Sequence, residues 1–425
     1  MVNYQELFEL VSVSSHTLLD EWDRRIDALA QQNGSEEHLR RISKYLHQHY
    51  ERHNPEPIIA ETDANAIILS VNDAFCRISK YPREELVGNN INLLASSHTE
   101  PGVFTDLWNH ISVGKPWIGE LRNRAKDYET YAVEILIVPI LDENGKPERY
   151  WSMAYDISER IAKQELLEAK NKEHHDSLQY AKRIQKAILP VNKSIDELFP
   201  DWFVMYRPKD LVSGDFYWFA RSIRTAFIAV VDCTGHGAPG AFMSLIGFNL
   251  LNQIVNERKI YKPGEILTEL HRGVRTTLRQ DEEGSRSRDG MEVCLLAIDI
   301  YDDTFEYAGA MRPLYFWKDG ELQEIKPDKL SIGGEQMEEE RVFSTQELEF
   351  SDGDAVYMVS DGFVDQIGGP EQKKFSTKRL KGLIAENAKE DMKTQRALFN
   401  LVWKDWKADD EQLDDVTLLG IKFHD

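Results

Sequence analysis

The spacing of apolar residues changes character three times along the chain. From Gln5 to Tyr50, Leu7, Val11, Leu18, Trp22, Ile26 and Leu29 recur at near-helical intervals. A polar "QQNGSEE" interrupts them, and Leu39, Ile42 and Leu46 resume the pattern, which predicts a helical segment over residues 1–54. After "NPEP" the runs shorten and alternate: "AIILSV", "TYAVEILIVPI" and "RYWSMAYDI" read as strands, the last two joined through a turn at "LDENGKPE". This predicts a small α+β domain over 55–157. From Ser158 to Leu189 there is neither Gly nor Pro, so a helix is expected across the 158–195 segment. Its apolar residues sit at its ends, Ile157 and Ile161 on one side and Leu178, Ala181, Ile184 and Ile188 on the other, around a polar "AKNKEHHD". That pattern suits a solvated spacer or a two-stranded coiled coil. From 196 to 425 strand-like runs alternate with helical ones, a second α/β or α+β domain.

Composition narrows the class. Lys and Arg total 51 against 73 Asp and Glu, a formal charge of -22, which disfavours a nucleic-acid partner. The three cysteines, Cys76, Cys233 and Cys294, form no C-x-x-C pair, which supports neither a disulfide framework nor a thiolate zinc site. The first residues lack a basic segment, and no window reads as the roughly 18 apolar residues of a spanning helix. A cytoplasmic protein without membrane insertion is expected.

The segment from Phe227 to Ser244, "FIAVVDCTGHGAPGAFMS", poses a choice of chemistry. "GHGAPG" matches G-x-G-x-x-G, and a nucleotide-binding oxidoreductase is one reading of it. A dinucleotide fold, however, needs a second parallel strand after the following helix. The helix is predicted, with Pro239 in its first turn and Phe242, Leu245, Ile246, Leu250 and Ile254 as its apolar face. The strand is not, because "NERKIYKPGE" is too polar. The glycines instead let the chain turn out of a strand and leave Asp232 at its edge.

Asp232 has counterparts. Asp215 stands at a strand junction in "VSGDFYWF", Asp361 ends the run "DAVYMVSD", and Asp414 and Asp415 precede "VTLLGIKF". Each alone is an ordinary turn residue. Four acids at the ends of four strands can share one rim, where crowding would push their pKa values up unless a cation neutralises them. An oxygen-only ligand set favours magnesium or manganese, and two such ions about 3.5–4 Å apart can activate a water for attack on phosphorus.

The order "SGDFYWF … VVDCTGHGAPGAFMS … DGMEVCLLAID … YAGAMRPLYFW … VSDGFVDQIGG … EQLDDVTLLGI", spanning about Asp201 to Phe423, resembles the SpoIIE-like bacterial branch of the metal-dependent (PPM) protein phosphatases, relatives of protein phosphatase 2C. The resemblance implies a sandwich of two antiparallel sheets with helices outside. It implies Asp232 as the ligand bridging two Mn2+ or Mg2+ ions, helped by the backbone carbonyl of Cys233, with Asp215, Asp361 and Asp414, rather than Asp415, completing the set. Asp232 and Asp215 are the implied catalytic residues. It further implies a phosphoserine or phosphothreonine substrate on a small regulatory protein, often an anti-sigma factor antagonist. A catalytically inactive module that only binds a phosphoprotein is the alternative.

Other residues with chemical potential flank this set. Cys233 lacks the arginine six positions on that a thiol phosphatase needs, since Pro239 stands there. His236 is a loop residue or an assisting acid. Arg207 and Lys209 are solvated charges or phosphate contacts. Asp289 and Glu292 belong to a surface turn or to a further, looser metal.

The stretches "VNDAFCRISKYPREELVGNN" and "GKPWIGELRNRAKDYETYAVEILIVPILDENGKPERYWSMAYDISER" are similar to PAS sensor domains over about Ile58 to Arg160. A five-stranded antiparallel sheet is implied, with a pocket for flavin, haem, a small metabolite or nothing, and Phe75, Trp108 and Trp117 are available to line it. Asp106, Trp108 and Asn123 match the flavin-binding PAS domains of aerotaxis-type receptors. Ala95 and Ser96 stand where those have an Arg-His pair, and Asp127-Tyr128 where an Asp-Gly turn is usual. The whole reads as a PAS input, a helical linker that pairs two copies, and a phosphatase controlled by linker movement.

Overall fold

The structure, a computed structural model, describes residues 57–424 apart from 143, 191–194, 283–286, 337 and 339. The helical segment expected over 1–54 lies outside the described residues. The chain divides into two compact units, 1–171 and 172–425.

In the first unit β1 (Ile58–Asp63) and β2 (Ile68–Val71) precede α1 (Asp73–Ser79), α2 (Arg83–Leu86) and α3 (Pro101–Ile111), and β3 (Trp117–Arg124), β4 (Thr130–Leu141) and β5 (Pro147–Asp156) complete a sheet of order β2-β1-β5-β4-β3. Every pairing is antiparallel. Local chemistry sets the boundaries. Asn72 Oδ1 accepts from the Phe75 N–H at 3.0 Å and starts α1. Asp142 Oδ1 accepts from the Asn144 and Lys146 N–H groups, and Gly145 takes φ +75, closing the β4–β5 turn. At the Asp127-Tyr128 turn the backbone still demands a left-handed residue, and Tyr128 adopts φ +71 beneath the Arg124 guanidinium. Phe75, Leu107, Ile111, Trp117 and Tyr150 build the core.

The helix α4 (Ser158–Ile188) runs across the division between the units. Its first turns pair with the first unit through Arg160–Glu120 and Glu165–Arg122, at 2.6 and 2.7 Å. Its last turns belong to the second unit, where Gln185 is buried. Leu166, Leu167, Tyr180 and Ile184 lie exposed between.

The second unit is a four-layer stack. Its strands are β6 (Trp202–Arg207), β7 (Phe216–Arg221), β8 (Thr225–Cys233), β9 (Gly290–Asp299), β10 (Thr304–Ala310), β11 (Leu314–Lys318), β12 (Glu321–Ile325), β13 (Ile332–Gly333), β14 (Gln346–Glu349), β15 (Ala355–Val359), the short pair β16 (Ile367–Gly368) and β17 (Lys373–Lys374), and β18 (Val416–Lys422). One sheet runs β14-β10-β9-β8-β7 with β13 on β9; the other runs β12-β11-β15-β18-β6. Helices α5 (Gly237–Asn252) and α6 (Pro263–Thr277) cover the first sheet. The short α7 (Asp361–Asp365) follows β15, and α8 (Thr377–Asn387) and α9 (Met392–Lys407) cover the second sheet.

The period-2 alternation of the strands explains the layers. On β8, Phe227, Ala229 and Val231 face α5 and α6, while Ala226, Ile228 and Val230 face the other sheet. Both faces are buried, so the strand reads as one continuous apolar run, and β9 returns antiparallel to β8. That pairing excludes the parallel unit a dinucleotide site requires.

Two expectations are corrected. Against the expectation that no window is apolar enough to span, residues Gly237–Glu257 are long and apolar enough to cross a membrane by length and composition. In this fold the stretch is a core helix, with Met243, Leu251, Ile254 and Val255 buried against the sheet. Its buried face is the expected one only in part: Ile254 is buried and Ile246 and Leu250 pack against the core, but Phe242 is exposed, and Gly240, Ser244 and Gly247 lie inward. Large residues cannot fit there, because a Cβ on Gly240 would meet Gly235 O at 2.3 Å and Gly214 Cα at 2.8 Å.

Helix glycines therefore divide sharply. Gly240→Ala should lower stability by about 2 kcal/mol or more, since backbone must move to admit the methyl. Gly382→Ala, at an exposed position of α8 with nothing within 4 Å of its Cβ position, should raise stability by about 0.5–1 kcal/mol. Urea unfolding of the full chain checks both signs.

Candidate functional site

Four turns converge at one rim of the sandwich, two from each sheet. Asp215 precedes β7, Asp232 lies near the end of β8, Asp361 opens α7 after β15, and Asp414 precedes β18. Glycine makes the convergence possible. A Cβ on Gly214 would sit 2.4 Å from Gly235 O and 3.2 Å from Cys233 O, so the turn bearing Asp215 lies flat against the turn that follows Asp232. A Cβ on Gly362 would sit 2.0 Å from Asp415 O and 3.3 Å from Asp414 Cβ, which joins the other two turns in the same way.

Asp415 is buried and acts as a clamp. Its two carboxylate oxygens accept from the Lys209 and Gly214 N–H groups, both at 2.7 Å, and fix the loop that presents Asp215. Gln185, from α4, grips the same loop: its Oε1 accepts from the Ser213 N–H at 3.0 Å, and its Nε2 donates to Ser213 O at 2.6 Å and Ser244 Oγ at 3.0 Å. Asp414 is exposed, and its Oδ1 accepts from the Asp415 N–H at 2.8 Å. The adjacent acids thus divide into one facing inward as a backbone acceptor and one facing the rim.

The electrostatics of the cluster are strained. Burial pushes the Asp215 carboxyl up to about 7, Asp415 adds to the rise, and Ser360, Thr417 and Arg312 oppose it. Asp215 Oδ2 is buried without a hydrogen-bond partner. Burial first, then the Asp215 charge, holds Asp232 well above the usual carboxylate range, with Asp361 and Asp414 adding to the effect. An orphaned oxygen beside carboxyls whose pKa values are driven up by burial and by one another fits a cationic ligand. Asp215, Asp232, Asp361, Asp414 and the Cys233 carbonyl are the oxygens at hand. Among the described residues, however, no three His, Cys, Asp or Glu side chains already stand together as a coordination shell.

A cation stands among the acids instead. The Arg312 guanidinium lies within the cluster: Nη2 donates to Asp232 Oδ2 at 2.6 Å and contacts Asp361 Oδ2 at 2.7 Å. Its Nε approaches Glu292 Oε2 at 2.7 Å, at an angle that makes an ion contact rather than a hydrogen bond. Glu292 reaches this place because it faces Asp232 across the β8–β9 ladder. Asp289 does not join it; exposed, it accepts from Ser287 Oγ. Arg312 was legible only as an unexplained cation in "YAGAMRPLYFW".

The remaining candidates fall outside the cluster. Arg207 donates to Asn400 Oδ1 and lies over the Trp403 ring. Lys209 Nζ lies 2.9 Å from His236 Nε2, whose Nδ1 meets Asp210 Oδ2 at 2.7 Å, an exposed chain of polar groups. The Cys233 thiol is buried and pushed far above its ordinary pKa by desolvation, the opposite of an activated nucleophile.

In the first unit a cavity of about 120 Å³ opens among Phe75, Leu94, Trp108, Asn123, Tyr131 and Tyr150. Its surface is mainly apolar, with Asn92, Asn123 and Ser152 as polar points. Trp108 and Asn123 line it. Asp106 does not: its Oδ2 accepts from Trp117 Nε1 at 2.7 Å, so it holds a core indole instead. Ala95 also lines the cavity and forms a backbone bridge with Asn123.

Two antiparallel sheets between pairs of helices, with acids gathered on one rim, define the PP2C class of protein phosphatase. Comparison with known proteins bears this out. The family model "Stage II sporulation protein E (SpoIIE)" matches residues 223–424, and a PAS domain model matches 55–159. The solved SiaA-PP2C domain of Pseudomonas aeruginosa is 30% identical, over 60% of this chain and 99% of that one, with a TM-score of 0.54. The chain belongs to the SpoIIE-type, PP2C-related protein phosphatase family, with a PAS domain ahead of the phosphatase domain. Its PAS region is 41% identical over 100 residues to a nitrogen fixation regulatory protein of Klebsiella pneumoniae, and 32% identical over 96 residues to the aerotaxis receptor of Escherichia coli. These matches cover 24% and 23% of this chain and about a fifth, 20% and 19%, of those proteins.

The Asp215 carboxyl gives the site a pH signature. With a folded pKa near 7 against about 3.9 unfolded, its contribution to stability is full below pH 4 and lost as pH rises through 7. Without metal at pH 8, Asp215→Asn should therefore be more stable than wild type, by up to about 4 kcal/mol. Thermal unfolding in chelator at pH 5 and pH 8 measures the difference, which should shrink to less than half at the lower pH.

Proposed function

We propose that this chain is a metal-dependent serine/threonine phosphatase of bacterial signalling, controlled by its PAS domain. The observation that carries the reading is the buried, partnerless Asp215 Oδ2 beside Asp232, at a rim to which Asp361 and Asp414 also come. Asp215, Asp232, Asp361, Asp414 and the Cys233 carbonyl are the groups that would hold two Mn2+ or Mg2+ ions. Such ions lower the pKa of a bound water and neutralise charge on a transferring phosphoryl group. The protein's part is to fix those oxygens in advance. Asp415 and Gln185 immobilise the Asp215 loop, and Gly214 and Gly362 let the turns meet.

The substrate in this reading is a phosphoserine or phosphothreonine on a regulatory partner of the anti-sigma factor antagonist type, and the setting is the cytoplasm. Two copies pair along α4, whose exposed Leu166, Leu167, Tyr180 and Ile184 supply apolar surface. The PAS cavity takes a flat, largely apolar ligand oriented by the Asn123 amide. Flavin is the candidate favoured by the likeness to the aerotaxis receptor. A second reading, a phosphoprotein-binding module without turnover, is favoured by the hold of Arg312 on the acids.

Two measurements test these statements. The full chain should release phosphate from a phosphoserine protein only with Mn2+ or Mg2+ added, and Asp232→Asn should cut the rate by about 100-fold or more while leaving the circular dichroism unchanged. Binding of the phosphoprotein with no release in either protein would instead select the second reading. An absorbance spectrum of the purified chain should show the visible bands of oxidised flavin; Asn123→Ala should weaken them, and a featureless spectrum rejects flavin.

A further inference from the structure

Arg312 sits in the β10–β11 turn, and that turn is built to aim it. Tyr307, fully buried, donates its hydroxyl to Arg312 O at 2.6 Å. Gly309 leaves room for that bond, since a Cβ there would lie 2.0 Å from the Tyr307 hydroxyl. Met311 is held at φ +62, a left-handed backbone that a methionine adopts only at a cost, although its own side chain is 42% exposed and gains little from being there. What the strained turn secures is the direction of the next residue. Arg312 points inward, and its side chain is only 12% exposed.

The atoms it engages are decisive. One nitrogen, Nη2, spans Asp232 Oδ2 and Asp361 Oδ2, two oxygens contributed by different sheets. Both carboxylates belong to the set of oxygens that would hold a divalent cation here. The guanidinium also contacts Glu292, so one fixed cation is shared by three acids that would otherwise repel one another more strongly.

We infer that Arg312 is the resident counter-cation of the acid cluster and competes with divalent metal for Asp232 and Asp361, so that metal loading requires its withdrawal. The inference rests on the metal-dependent reading given above and deepens it. The same exchange makes metal affinity adjustable: any shift of the β10–β11 turn that draws Arg312 back strengthens metal binding without touching a ligand. It also accounts for carboxylates that approach a guanidinium rather than one another.

Binding of Mn2+, followed by the electron paramagnetic resonance of the free ion, tests this on the full chain at neutral pH. Arg312→Gln should bind Mn2+ about 10-fold more tightly than wild type. Without metal its unfolding temperature should fall, and Mn2+ should raise that temperature more than in wild type. Arg312→Lys keeps a cation in the cluster and so protects the fold, but its single nitrogen cannot span all three acids; it should bind Mn2+ about 3-fold more tightly. Equal or weaker binding by both variants overturns the inference. If wild type binds Mn2+, Asp232→Asn abolishes that binding, and the Arg312 variants leave it unchanged, the metal site stands and only the competition fails. If folded wild type and variants all bind no Mn2+, both readings fall together.

Discussion

Negative charge concentrated where water is scarce is the constraint on which this structure turns. Asp215, Asp232 and Glu292 are all pushed toward protonation, with desolvation as the first cause in each. A fold that tolerates such a cluster must supply positive charge to it. In the structure that charge is Arg312; in the working protein proposed here it is a pair of divalent ions. Much else follows from keeping the acids in place through the exchange. Asp415 and Gln185 hold the Asp215 loop, Ser360 and Thr417 tie β15 to β18, and glycines stand wherever two acid-bearing turns touch.

The architecture places this cluster at a natural seam. Each sheet contributes two acids, and the layer of Ile228, Val230, Leu296, Phe316, Met358 and Leu419 packed between the sheets sets their separation. The two pairs therefore move relative to one another only if that layer shifts, and well-packed interiors resist this. The helices outside are closer to hand as levers. α5 starts directly after the Asp232 turn and lies on Gly214, and the end of α4 reaches Ser213 and Ser244 through Gln185.

Much of this was legible in the sequence. The continuous apolar runs ending in Asp gave the strands and the candidate acids, and motif order implied the sandwich. The polar segment after the "GHGAPG" helix excluded a parallel partner strand, as the antiparallel β8–β9 pairing bears out. Other features were hidden for physical reasons. The buried face of α5 is set by close approach of backbone, so small residues rather than Phe242 mark it. Arg312 and Gln185 act across long sequence distances, Arg312 reaching an aspartate 80 residues away and Gln185 a loop 28 residues on. No local pattern announces a partner that far off. In the PAS domain, Asp106 matched a motif but serves Trp117, because an exposed carboxylate beside an indole N–H is satisfied there.

Diffraction from crystals soaked in Mn2+, recorded for its anomalous signal, bears most directly on the central claim. The account predicts density between Asp232 and Asp361, with Asp215 and Asp414 turned toward it and the Arg312 guanidinium withdrawn from both carboxylates. Arg312 still seated on Asp232 and Asp361, with no anomalous density at that rim, would contradict it.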